Sequence, residues 1–225
     1  ERAWNSSIGF EHQITQAIQW DVEGFYRRMD RQIVTSDDAS AEERTTAFEN
    51  TGIGRAYGVE VILRHLPKNN FFGWISYTLS RSERQDRPGE DWYAFGFDQT
   101  HILSAQAGYD LPFDIGISAQ LQYVTGNPYT PYAFGVYDLS AVSSVGIPGF
   151  DTNSERLPAY VQFSARVDKL FTFKRWQLNT YVELLNVVRG VNPEFTIYQH
   201  DYKEQAYVRG LPFIPNIGLE AVIHL

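Results

Sequence analysis

"IGLEAVIHL", residues 217–225, sets Ile217, Leu219, Ala221, Ile223 and Leu225 on one side of an extended chain. Gly218, Glu220, Val222 and His224 fall on the other. An apolar residue at every second position marks a strand with one apolar face. Chain ends are usually polar and frayed, so an apolar phase should cover this one.

The same period recurs along the chain. Residues 3–14 set Trp4, Ile8, Phe10 and Ile14 against Asn5, Ser7, Glu11 and Gln13, and 17–28 set Ile18, Trp20 and Val22 against Gln19, Asp21 and Glu23. Further alternating segments lie at 55–66, 71–80, 101–111, 114–126, 160–171 and 176–187, the last slipping phase at Leu184–Leu185. With the terminal segment they make about nine strands, several of ten or more residues. A tilted membrane-spanning strand needs ~9–11 residues, whereas strands in general average ~5–6.

The joins alternate in length. Short ones lie at 15–16, 67–70, 112–114 and 173–175; long ones occupy about 35–50, 84–98, 127–158 and 189–213 and hold runs such as "SDDASAEE" (36–43) and "RQDRPGEDW" (84–92). Loops of ~15 residues are uncommon in compact soluble domains. Short turns at one end and long loops at the other are the layout of a transmembrane barrel, with its short turns periplasmic and its long loops extracellular. The fold class read here is therefore all-β: an antiparallel up-and-down segment of a transmembrane β-barrel. A soluble β-sandwich or lipocalin-like barrel would carry shorter strands and shorter loops. Trp4, Trp74, Trp176, Tyr109, Tyr123, Phe171 and Phe173 sit near segment ends, as interfacial girdles do.

Composition narrows the classes. Aromatics are 15% of the 225 residues, charged residues 20%, and no apolar run approaches a transmembrane helix of ~20 residues. The net charge of −8 opposes nucleic-acid binding, which wants a basic surface. Cysteine is absent, so neither a disulfide framework nor a thiolate metal site is available. The opening "ERAWNSSIGF" has neither the basic start nor the apolar segment of a leader. His12, His65, His101, His200 and His224 show no metal-ligand spacing, and no cofactor is expected. Ser80, Ser82 and His101 are the nearest candidates for an enzyme on the outer rim, a minor reading with no catalytic residue assigned.

Two groups of candidate site residues emerge. Glu11, Asp21, Glu23, Glu60, Arg64, Arg166, Asp168, Glu183 and Glu220 occupy the polar phase, where they would line a lumen or grip a plug. In the long loops, Arg87, Asp91, Trp92, Tyr93, Tyr129, Tyr132 and Tyr137 mix rings with charge, as a ligand mouth does.

The stretches "NTGIGRAYGVEVILRH" (50–65), "FGWISYTLSRSER" (72–84), "FDQTHILSAQAGYDLP" (97–112), "YVTGNPYTPY" (123–132), "RLPAYVQFSARVDKLFTFKRWQLNTYVELLNV" (156–187) and "LPFIPNIGLEAVI" (211–223) together resemble, in order, the barrel of TonB-dependent outer-membrane receptors. The resemblance implies a barrel of about 22 strands, filled by an N-terminal plug that contacts TonB. It also implies uptake of a scarce nutrient (an iron chelate, cobalamin, a saccharide or a peptide) driven by the inner-membrane proton gradient. Residues 1–225 then correspond to the C-terminal portion of that barrel, without plug or TonB box, in a Gram-negative outer membrane with a periplasmic C-terminus. The expected partners are membrane lipid, the remaining strands and plug on the same or another chain, and TonB through the plug. Nine strands do not make the even count of bacterial single-chain barrels, and an open edge in lipid leaves each unpaired peptide group a cost of several kcal/mol, roughly. The alternative reading is a structural or adhesive surface barrel without transport.

Overall fold

The computed structural model describes residues 1–35, 48–139, 143–188 and 190–223. Residues 36–47, which include the "SDDASAEE" run, and His224 and Leu225 lie outside them. The sixteen strands are β1 (Arg2–Gln13), β2 (Ile18–Thr35), β3 (Phe48–Lys68), β4 (Phe71–Gln85), β5 (Tyr93–Ala94), β6 (His101–Leu111), β7 (Ile115–Val124), β8 (Pro128–Tyr129), β9 (Tyr132–Asp138), β10 (Ser143–Pro148), β11 (Glu155–Arg156), β12 (Tyr160–Thr172), β13 (Trp176–Leu185), β14 (Pro193–Tyr198), β15 (Gln205–Arg209) and β16 (Ile214–Ile223). The wall is one antiparallel sheet in the order β1-β2-β3-β4-β6-β7-β12-β13-β16. Its nine strands are the nine alternating segments, each beside its sequence neighbour.

Register carries one apolar face across the whole wall. Because directly paired residues share a face, Phe10, Val22, Val61, Tyr77, Leu103, Tyr123 and Val161 line up from strand to strand. Toward the short turns a second row runs Tyr109, Ile117, Val167, Val182, Ile217. This face has nothing packed on it: Ile8 is 82%, Ile217 78% and Leu219 73% exposed. Among the described residues the only buried hydrophobics are Ala17 and Val124. A soluble sandwich or barrel puts its apolar phase inside, whereas this sheet puts it outside, as a wall in lipid must.

The turns follow local chemistry. Between β3 and β4 the connection is Asn69–Asn70 alone, both at positive φ. Asparagine tolerates that conformation better than most residues, so Pro67 and Lys68 remain in the strand. At the β12–β13 turn Phe173 stacks on Trp176 at 4.3 Å. Trp176, Phe171 and Tyr109 share the apolar face near this end, where a girdle belongs. Trp74 does not join them. It pairs with Arg64 and Gln106 on the polar face, so the girdle assignment fails there because strand phase overrides nearness to a segment end.

At the other end the strands outrun the membrane. β2 and β3 hold 18 and 21 residues against the ~9–11 that a span needs. The ladder continues past the alternating segments through 29–34 and 51–54 and takes in the margins of the loop read at about 35–50, with Thr35 paired to Phe48 and Val34 to Glu49. The last two long loops, 127–158 and 189–213, carry hairpins of their own, β9–β10 and β14–β15, while in the loop at 84–98 β5 adds to the edge of β4, and β11 pairs with β8.

Placing arginine at Leu121, which sits mid-strand on the apolar face between Ala105 and Phe163, should cost roughly 2–4 kcal/mol in a bilayer. The same change at the neighbouring, exposed Gln120 on the polar face should cost far less. Urea unfolding in lipid vesicles reads both, and equal costs would overturn the facing assignment.

Candidate functional site

The polar face carries the first group. Register places Glu11, Asp21, Glu23, Glu60, Arg64, Arg166, Asp168, Glu183 and Glu220 on it together. Arg64 forms an ion pair with Asp21, and Glu11 accepts a hydrogen bond from Gln19. Arg166 pairs with Asp168 at 3.5 Å and lies over the Tyr181 ring at 3.9 Å, while Glu183 accepts from Asn216 at 3.3 Å. Glu220 stands opposite Asn179. Two acidic contacts run against this pattern. Glu23 is directly opposite Glu60, and Glu11 opposite Asp21. Like charges facing across a ladder are destabilising.

The second group lies at the long-loop end and divides in two. Arg87 is held by Glu49 at 3.8 Å and Glu90 at 3.4 Å. Trp92 lies under the Arg55 guanidinium at 4.2 Å, and Arg55 in turn pairs with Glu83 at 2.7 Å. The Tyr93 hydroxyl donates to Asp86 at 2.5 Å, and Asp91 is exposed. These four residues therefore stand above β3 and β4. Tyr129, Tyr132 and Tyr137 belong to the neighbouring unit. Tyr129 donates to Gln205 at 3.3 Å, and burial raises its pKa. The Tyr132 ring meets Tyr198 and Tyr202, each at 4.9 Å. Tyr137 is half exposed.

What joins the two units was not legible in the sequence. Asp98, 1% exposed, accepts from the Ser82 amide at 2.5 Å and the Thr100 hydroxyl at 3.2 Å, and pairs with Arg156. Arg156 also donates to the carbonyls of Asp98 at 2.6 Å and Gly126 at 3.1 Å. Only glycine fits at 126, because a Cβ there would fall 1.7 Å from the Leu157 carbonyl oxygen. Asn153 reaches the Ala94 carbonyl at 2.7 Å. Asn192 acts as a strand rung: its amide accepts from the Val161 N–H at 2.8 Å and donates to the Val161 carbonyl at 2.9 Å. Three long loops are thus fixed to one another and to the wall by side chains far apart in sequence.

Ser80, Ser82 and His101 do not converge. His101 pairs with Leu79 on the apolar face, where Tyr77 hydrogen-bonds its Nδ1 at 2.8 Å; Ser80 lies on the opposite face. Among the described residues no three His, Asp or Glu side chains gather as a metal site.

Replacing Asp98 by asparagine leaves Arg156 without its counter-charge and should cost roughly 3 kcal/mol, read as faster hydrogen exchange at the Ser82 amide. Tyr93 gives a pH signature. Burial first, then the hydrogen bond and charge of Asp86, hold its pKa well above the ordinary 10.0. The folded state keeps this proton more tightly than the unfolded chain does. Its contribution is therefore whole below pH 10 and is lost as pH rises beyond it. Trp92 fluorescence should report loop opening on that alkaline limb, and Tyr93→Phe should flatten it.

The wall and its rim have close counterparts. In superposition the closed form of the ferric-catecholate import receptor Fiu from K12 E. coli gives a TM-score of 0.67 at 16% identity, covering 99% of this chain and 27% of that one. The unliganded ferric citrate transporter FecA gives 0.64 at 16% identity over 98% and 31%. The siderophore receptor PiuA from Acinetobacter baumannii gives 0.63 at 12% identity over 97% and 28%. The chain thus spans about a third or less of these proteins, and at such identities the likeness is one of fold. No curated protein matches the sequence. Residues 1–187 match the family model described as TonB dependent receptor-like, beta-barrel, so with its strand order and outward apolar face the chain belongs to the TonB-dependent receptor β-barrel family.

Proposed function

We propose that this chain supplies the C-terminal portion of a receptor barrel that captures an iron chelate at its long-loop rim and takes it up with energy from TonB. The rim carries the proposal. Loops 86–100 and 125–159 are interlocked through Asp98–Arg156 and Asn153. Loop 186–213 joins them through Tyr129–Gln205 and the rings on Tyr132, and Asn192 ties that loop to β12. Tyr93, Tyr132 and Tyr137 are thereby carried on a fixed frame rather than on separate mobile loops. Preorganised rings lower the ordering cost of binding. An iron chelate is favoured over the family's other cargoes because the solved neighbours bear ferric-chelate and siderophore names. In this reading the rim is extracellular and the C-terminus periplasmic, and the edges of β1 and β16 pair with further strands of the same barrel.

The polar face takes the plug. The facing pairs Glu23–Glu60 and Glu11–Asp21 set four carboxylates close together on this face, where Arg64 ion-pairs with Asp21, and a basic plug surface would relieve the others. A second reading, a surface barrel that binds a protein partner without transport, draws on β9–β10, whose Phe134, Val136, Val145 and Ile147 form an exposed apolar face.

The test is quenching of intrinsic tryptophan fluorescence by ferric catecholate and ferric citrate in the full receptor, alongside iron uptake in cells with and without TonB. Saturable quenching that Tyr132→Ala weakens, together with TonB-dependent uptake, is expected; uptake indifferent to TonB would sink the proposal. Glu60→Gln should stabilise a plug-free barrel by about 0.2–1 kcal/mol through relief of repulsion, and should loosen the plug in the complete receptor. Thermal unfolding of the two forms reads both signs.

A further inference from the structure

Gly24 is the one glycine of β2, and register puts it on the apolar, lipid-facing side between Ile8 and Val59. A Cβ there would meet nothing within 4 Å. Gly24 lies at the floor of an open groove of about 800 Å³ on the outer wall, bordered by Ser6, Ile8, Tyr26, Arg55, Tyr57 and Val59. Its lower flanks are the aliphatic side chains of Ile8 and Val59. Its upper end is marked by Tyr26, Tyr57 and the Arg55 guanidinium.

That upper end is where the outward face changes character. Tyr57, Val59, Val61, Leu63 and His65 alternate along β3 for about eight residues, or ~26 Å of strand at ~3.3 Å per residue. This approaches the ~25 Å apolar band of a transmembrane barrel. Directly above it, the same face of β1 to β4 carries Arg2, Arg28, Asp30, Arg55, Arg81 and Glu83: four guanidinium groups against two carboxylates. Arg28 meets Asp30 at 3.0 Å, and Glu83 takes both Arg55 at 2.7 Å and Arg81 at 3.3 Å, each arginine through its Nε. Trp92 and Tyr57 steady the Arg55 guanidinium by lying beneath it at 4.2 and 5.9 Å. A cation-rich patch facing out of the wall cannot serve the lumen. At the height where hydrocarbon gives way to headgroups it meets lipid phosphate, to which arginine is well matched.

We propose that the Gly24 groove and the arginines above it form a site for a phosphate-bearing lipid, one acyl chain lying in the groove and the phosphate held by Arg28 and Arg55. Charge and shape argue for one occupant. The groove is apolar along its length and cationic at one end, as an anionic amphiphile requires. It also lies on a sheet face, so strands added to the β1 edge would extend the wall without covering it.

Native mass spectrometry of the full receptor in mild detergent tests this with three probes: phosphatidic acid, diacylglycerol and inorganic phosphate. Phosphatidic acid should be retained at least ten-fold better than diacylglycerol, and millimolar inorganic phosphate should not displace it. Arg28→Gln, whose ion pair is half exposed, and Gly24→Leu, which raises a side chain from the floor of the groove into the path of the acyl chain, should each lower retention about five-fold or more. Arg27→Gln is the control, because Arg27 lies one residue away on the polar face with Asn5 and should leave retention unchanged. Equal retention of diacylglycerol, displacement by phosphate alone, wild-type retention by Arg28→Gln or Gly24→Leu, or an equal loss in Arg27→Gln would each overturn the site. Cold and heated electrophoretic mobility confirms that every variant compared is a folded barrel.

Discussion

A peptide group in hydrocarbon must find its hydrogen-bond partner within the protein, because no water is there to substitute. Every larger feature of this chain depends on that constraint. It makes each crossing a strand, makes each strand pair with the next, and fixes the order of the wall as the order of the sequence. The ladder from β1 to β16 therefore replaces the hydrophobic core as the organising element. The near absence of buried apolar side chains among the described residues marks this change, not a failure to fold.

With the backbone fully used in the ladder, the side chains are left to handle two solvents at once. Period two divides them between lipid and lumen, and a one-residue slip would exchange the two sets. Small departures from the pattern then acquire meaning. Gly24 floors a groove on the lipid side, Trp74 enters the polar side despite its bulk, and Glu23 faces Glu60 where an ordinary sheet would avoid the pairing.

Above the membrane the rules change again. Water competes for every peptide group there, so regular pairing no longer suffices to hold a loop. The rim uses desolvated polar contacts instead: Asp98 under Arg156, and Asn192 completing the ladder at Val161. Such contacts are strong where water is excluded and costly when half satisfied. They hold three loops as one frame around the aromatic residues.

The nine strands of the wall, their facing and the two unequal ends were legible from alternation and loop length, since both follow from neighbours one or two residues apart, whereas the short strands within the long loops were not. The family was legible from the ordered segments, and the polar-face residues from phase alone. The girdle position of Trp74 was misread because nearness to a segment end says nothing about facing. The margins of the loop read at about 35–50 proved to be ladder, because strand can continue into water once its partner continues with it. Asp98 and Arg156, Asn192 and Val161, and the rings of Tyr132, Tyr198 and Tyr202 left no local trace. Their partners lie 31 to 58 residues away for the polar contacts, and only the folded wall brings them together. Sequence by itself determined the ladder, because a strand's period is a property of its own backbone. Tertiary structure alone decided the rim, because a contact between distant loops exists only after the ladder has set their separation.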